Sequence, residues 1–133
     1  LADAIEAEPV ERIERFGLSD RLNGDTGITE LPPLGYLDFL TLTSQARVIV
    51  TDSGGLQEES TVLGIPCLTA RPNTERPITI EEGTSTLVGS DPDKLQEHLG
   101  KVLEGRYRQG RCPTLWDGRA AERIARILAE TVS

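Results

Sequence analysis

Ser53, Gly54 and Gly55 stand in the stretch TDSGGLQEES, residues 51–60, where two kinds of chemistry compete. A nucleophilic serine needs a His and an Asp to activate it and an oxyanion hole beside it. The only histidine, His98, follows the serine and falls in a predicted exposed helix, so acyl transfer is rejected and His98 is read as a solvated surface residue. The second chemistry is anion binding. RVIVT, just upstream, has the apolar, β-branched character of a strand, and the chain must then turn sharply into a helix. Gly54 and Gly55 remove side chains that would block a close approach, and the free N–H groups of the helix N-terminus face the same point. Ser53 adds a hydroxyl that can donate to a phosphate oxygen. Glu59 lies about one turn into the helix. A carboxylate repels phosphate, so its useful partner is a pair of vicinal hydroxyls such as a ribose offers. A diphosphate on the turn and a ribose on Glu59 describe a nucleotide. Glu58 is read as favouring the helix dipole and nothing more. Arg76, in the TERP stretch after the next strand, is a planar cation able to reach an anion at the same sheet edge. Its competing reading is a surface salt bridge with Glu75 or another acid.

The elements that must position these groups follow from the hydrophobic pattern. The first sixteen residues are helix-like apart from Pro9, with Gly17 as a stop. ITELPP reads as a short strand and LGYLDFLTLTSQA as a helix. RVIVT is expected to be a strand buried on both faces. GGLQEESTVLG then forms a helix closed by Gly64, IPCLTA the next strand, NTERPITIEEG a loop with one helical turn, and TSTLVG a third strand. DPDKLQEHLGKVLEG reads as a helix with Asp91 as N-cap, Pro92 at its first position and Gly105 as its stop. RAAERIARILAETV reads as a final amphipathic helix, for which Asp117 and Gly118 supply a cap. Strands alternating with helices imply an α/β fold, a parallel sheet with helices on both faces joined by right-handed crossovers.

The 133 residues, 37% hydrophobic and 27% charged, suit one soluble domain with a single core. A formal net charge of −8 argues against general nucleic-acid binding, which needs many cations to displace counterions. No apolar run approaches the roughly 20 residues that cross a bilayer, and the acidic, Pro-containing start does not resemble a signal peptide. A cytoplasmic protein is expected, with no membrane partner. Cys67 and Cys112 lack zinc-site spacing and are read as unpaired thiols.

VTDSGGLQEESTVLGIPCLTARPNTERPITIEEGTSTLVGSD resembles the C-terminal half of the non-hydrolysing UDP-N-acetylglucosamine 2-epimerases, as do LPPLGYLDFLTLTSQA upstream and LWDGRAAERI downstream. The resemblance covers roughly residues 12–128. It implies a three-layer Rossmann-like sheet, the C-terminal half of a glycosyltransferase B-type fold, with residues 1–133 forming a single UDP-binding domain incomplete at its N-terminal side. Carried over by position, it implies that Ser53, Gly54 and Gly55 hold the diphosphate of UDP, that Glu59 binds its ribose and that Arg76 contacts the phosphate or sugar end. It places Leu34 and Phe39 in the uracil pocket, although plain core packing explains those two nearly as well. The implied reaction interconverts UDP-N-acetylglucosamine and UDP-N-acetylmannosamine by elimination and re-addition of UDP, in the service of cell-wall or surface polysaccharide. No metal or nicotinamide cofactor is expected. The acidic residues thought to move the C2 proton belong to a domain this sequence does not contain, so no catalytic residue is assigned and the chain alone is expected to be inactive. Other readings are the nucleotide half of a B-type glycosyltransferase and a catalytically inactive UDP-sugar-binding module. The missing strands would leave a sheet edge and apolar surface uncovered, from which a homodimer is expected.

Overall fold

The computed structural model describes residues 13–17, 19, 27, 29 and 31–132. The chain divides into two compact units, Leu1–Phe39 and Leu40–Ser133. The elements run α1 (Tyr36–Ser44), β1 (Ile49–Thr51), α2 (Gly54–Leu63), β2 (Cys67–Thr69), α3 (Pro77–Glu81), β3 (Ser85–Leu87), α4 (Pro92–Leu103) and α5 (Ala120–Val132). The helix expected over the first sixteen residues lies mostly outside the described residues, of which 13–15 are helical. The strand expected over ITELPP is not formed at its described residues, 29 and 31–33, which are irregular; two successive prolines remove ladder donors there.

The second unit holds a parallel sheet in the order β1-β2-β3, with Ile49, Cys67 and Ser85 in register. Cys67, Leu68 and Thr69 are all fully buried. Side chains alternate across a strand, so β2 is covered on both faces, as a parallel sheet between helical layers requires. Helix α2 contacts all three strands, and α4 contacts β2. Ile49, Ile65 and Cys67 form the apolar centre, with Ala46 against it. β1 departs from expectation. It is an edge strand, and Val50 is 50% exposed, because a β-branched run specifies a strand but not its neighbours.

Capping explains where α2 and α4 begin and end. Ser53 caps α2 by accepting from Leu56 N–H at 3.4 Å, and Gly64 ends it in the left-handed region at φ 73°. Asp91 caps α4 by accepting from the N–H groups of Asp93 and Lys94, with Pro92 in the first turn. The inward face of α2 is polar, with Gln57, Ser60 and Thr61 buried while Val62 is 56% exposed. Small polar residues there let backbone approach: a Cβ on Gly83 would stand 2.4 Å from Thr61 Oγ1.

Beyond α4 the chain returns to the beginnings of β2 and β3. Tyr107 donates to Thr84 O at 3.0 Å and shares a 2.6 Å hydrogen bond with the Thr86 hydroxyl. Arg108 donates to the carbonyls of Ile80, Gly83 and Ser85. Asp117 accepts from Arg119 N–H and pairs with Arg123 at 2.9 Å, which fixes the start of α5 as its sequence suggested. His98, expected on a solvated face, is half-buried in α4. Cys67 and Cys112 are both free thiols. Among the described residues no helix is long and apolar enough to cross a membrane.

Candidate functional site

The C-terminal ends of the parallel strands feed the two segments that carry the predicted chemistry. Thr51 closes β1 and leads through Asp52 into Ser53-Gly54-Gly55, while Thr69 closes β2 and leads into the loop 70–76. Ala70 N–H donates to Thr51 O at 2.8 Å, so both loops leave the sheet side by side, at the edge where open α/β sheets take ligands.

Ser53 sits in extended backbone at φ −75°, ψ 128°, and its N–H donates to Thr51 Oγ1 at 3.0 Å. Accepting from Leu56 N–H uses a lone pair of its hydroxyl and leaves the hydroxyl hydrogen for another acceptor. Gly54 opens α2 under close neighbours. A Cβ there would lie 2.9 Å from Glu75 Oε1 and 4.0 Å from Arg76 Cγ. The fold therefore sets Arg76 beside the Ser53-Gly54-Gly55 turn.

Arg76 is held by its own backbone at the start of α3. Its N–H donates to Thr74 Oγ1 at 3.0 Å, and its carbonyl accepts from the Thr79 hydroxyl at 2.7 Å. Arg76 Nε lies 2.9 Å from Glu58 Oε1, at ion-pair distance, but the N–H makes no hydrogen bond. Both side chains are about two-fifths exposed, so this pair is worth little to stability. Glu58, read from sequence as a dipole effect, is the acid that Arg76 meets, so the competing reading of Arg76 as a surface ion pair is realised with an acid other than Glu75. The salt bridge considered between Arg76 and Glu75 is not formed. Glu75 pairs instead with Arg71 at 3.0 Å. A hydrogen bond from its own backbone N–H, and then the Arg71 and Arg76 charges, hold the Glu75 carboxyl below the usual carboxylate range.

Glu59 is half-buried on α2, about 7.5 Å along the axis from Gly54 at the helical rise. Its carboxylate makes no hydrogen bond or ion pair with a described residue. Leu34 and Phe39 fall in the other compact unit, where Leu34 is 39% exposed and Phe39 half-buried.

Sequence reasoning missed Gln57. It is fully buried, its Nε2 donates to Ser53 O at 3.4 Å, and its Oε1 accepts from the Thr74 hydroxyl at 2.7 Å. The signal available was that Gln57 and Thr74 lie inside the two motifs that carry the site. A recess bounded by Arg47, Pro66, Thr84, Tyr107 and Arg108 opens at the opposite, N-terminal ends of the strands and takes no part here. Among the described residues no cluster of three His, Cys, Asp or Glu side chains could hold a metal ion.

The family model for UDP-N-acetylglucosamine 2-epimerase matches residues 7–129. The UDP-N-acetylglucosamine 2-epimerase of Methanocaldococcus jannaschii is 42% identical over 118 residues, 89% of this chain and 32% of its own. Its crystal structure in complex with UDP-GlcNAc and UDP superposes with a TM-score of 0.74, covering 90% of this chain and 33% of that one at 41% identity. The Neisseria meningitidis UDP-GlcNAc 2-epimerase bound to UDP-GlcNAc gives a TM-score of 0.69 at 30% identity, covering 87% of this chain and 33% of that one. The chain thus spans about a third of the length of the relatives it matches. A family match across nearly all its residues, carried on the same α/β sheet, means that the chain belongs to the UDP-N-acetylglucosamine 2-epimerase family.

Proposed function

We propose that this chain is the UDP- and UDP-sugar-binding portion of an isomerase that interconverts UDP-N-acetylglucosamine and UDP-N-acetylmannosamine. The observation that carries the reading is the approach of Arg76 to Gly54 at the mouth of α2. A helix N-terminus and a glycine turn, which favour negative charge, open beside the Arg76 stem, whose Cγ lies 4.0 Å from the point a Gly54 Cβ would occupy, with the Glu75 carboxylate closer still at 2.9 Å. A guanidinium on that stem is within reach of an anion on the turn.

In this reading the diphosphate rests on Ser53, Gly54 and Gly55 and the ribose hydroxyls on Glu59. Loss of the C2 proton and departure of UDP leave a glycal; re-addition of UDP with protonation of the opposite face gives the epimer. This portion stabilises the charge that develops on the leaving diphosphate and keeps UDP bound for its return. None of its residues is assigned the C2 proton transfer, so the chain alone binds without turnover. The complexes of its relatives with UDP-GlcNAc and UDP support the choice of nucleotide.

Calorimetric titration with UDP, UDP-N-acetylglucosamine and ATP tests the reading. Uridine-selective binding is expected, weakened at least about tenfold in Glu59→Ala and in Arg76→Ala, the effect of losing one charge-assisted contact. Equal affinity for ATP, or no binding by a folded chain, would overturn it.

A further inference from the structure

Gln57 and Thr74 join the two halves of the site through one chain of hydrogen bonds. Gln57 bonds the Ser53 carbonyl twice, through its backbone N–H at 3.3 Å and its Nε2 at 3.4 Å. Its Oε1 accepts from the Thr74 hydroxyl at 2.7 Å, and the Thr74 oxygen in turn accepts from Arg76 N–H at 3.0 Å. The Thr79 hydroxyl, 3.5 Å from the same Gln57 oxygen, gives its one hydrogen to the Arg76 carbonyl at 2.7 Å. Both peptide groups of Arg76 are thereby fixed, and the turn and the loop share one buried amide. Gln57 and Thr79 are wholly inaccessible to solvent while Thr74 is half-buried, so loss of the Thr74 hydroxyl takes a partner from a buried amide that water can only partly replace.

We infer that Gln57 and Thr74 are positioning residues for anion binding: they set where Arg76 stands relative to the Ser53-Gly54 turn without touching the ligand. The inference rests on the nucleotide reading for what is bound, but the positioning itself exists without ligand. Thr74→Val keeps the shape of the side chain and deletes the hydroxyl, leaving Arg76 N–H and Gln57 Oε1 short of a partner. Thr74→Ser restores the hydroxyl. Gln57, at the centre of the packing, is the poorer probe because its removal tests folding as much as geometry.

Two readouts on the folded chain test this. In calorimetric titration with UDP, Thr74→Val is expected to lose about tenfold in affinity while Thr74→Ser stays within about threefold; in an Arg76→Ala background Thr74→Val changes affinity less than about twofold, since a residue acting through Arg76 is not additive with its removal. Amide hydrogen exchange without ligand is expected to show Arg76 N–H losing protection in Thr74→Val and keeping it in Thr74→Ser. Equal losses of UDP affinity in both backgrounds would overturn the inference, as would unchanged protection of Arg76 N–H. Failure of the unaltered chain to bind UDP would sink the nucleotide reading alone, with hydrogen exchange still deciding the positioning.

Discussion

Glu75 sets a negative charge against the turn that the proposed function reserves for phosphate. Its carboxylate oxygen is 2.9 Å from the point a Gly54 Cβ would occupy, and its partner is Arg71 rather than Arg76. At neutral pH the group is ionised, because its backbone hydrogen bond and the neighbouring guanidiniums hold its carboxyl below the ordinary range. A carboxylate near a phosphate opposes its binding, modestly in a water-like dielectric. Glu75→Gln is therefore expected to bind UDP a few-fold more tightly, read by calorimetry; weaker binding would mean that the carboxylate supports the loop more than it opposes the ligand. Stability moves the other way. A carboxyl depressed in the folded state stabilises it above the unfolded value and loses that contribution as pH falls through the folded one. Glu75→Gln should thus melt below the unaltered chain at pH 7, with the gap closing in acid below the usual carboxylate range.

At the scale of elements, Tyr107 is the cross-brace between the segment after α4 and the sheet. Its phenol meets Thr84 O and the Thr86 hydroxyl, and burial, the leading cause, raises its pKa above the ordinary 10.0. Tyr107→Phe leaves Thr86 without that partner and should cost about 1–2 kcal/mol in urea unfolding. A phenol raised in the folded state stabilises it below the unfolded pKa, and that contribution disappears as pH rises through the folded value. The difference between the two proteins should accordingly shrink above pH about 10; a constant gap would mean that Tyr107 acts by packing alone. The same brace shows what a sequence can and cannot disclose. The cap at Asp91 and the stop at Gly64 are local chemistry, readable one turn at a time, whereas the cap that Ser53 makes on α2 was not read from sequence, where its hydroxyl was given to a phosphate. Gln57–Thr74 and Tyr107–Thr86 join residues far apart in the chain, and no periodicity encodes such a pair. The pairing of Arg76 with Glu58 rather than Glu75 was likewise a tertiary choice between two nearby acids.

Among the described residues several large apolar side chains stand exposed. Val50 is half exposed on the edge strand, and on α5 Ile124, Ile127 and Leu128 are 57%, 61% and 58% exposed. Their i, i+3, i+4 spacing puts them on one face, and contiguous apolar patches of this kind mark association surfaces. A net charge of −8 opposes association between copies. The repulsion does not arise on α5 itself, where Glu122 and Glu130 are matched by Arg123 and Arg126. We therefore expect a homodimer seated on α5. Because repulsion between exposed charges is screened within about 8 Å at physiological ionic strength, dimerisation should strengthen as salt is raised. Sedimentation velocity over micromolar concentrations measures it, with Ile127→Lys as the variant that places an unmatched cation in the apolar face. The expected result is a dimer that tightens with salt and dissociates in Ile127→Lys. A monomer at every concentration and salt would reject the dimer, and a dimer indifferent to Ile127→Lys would shift the contact to the free edge of β1, where unpaired backbone groups offer the other surface for pairing.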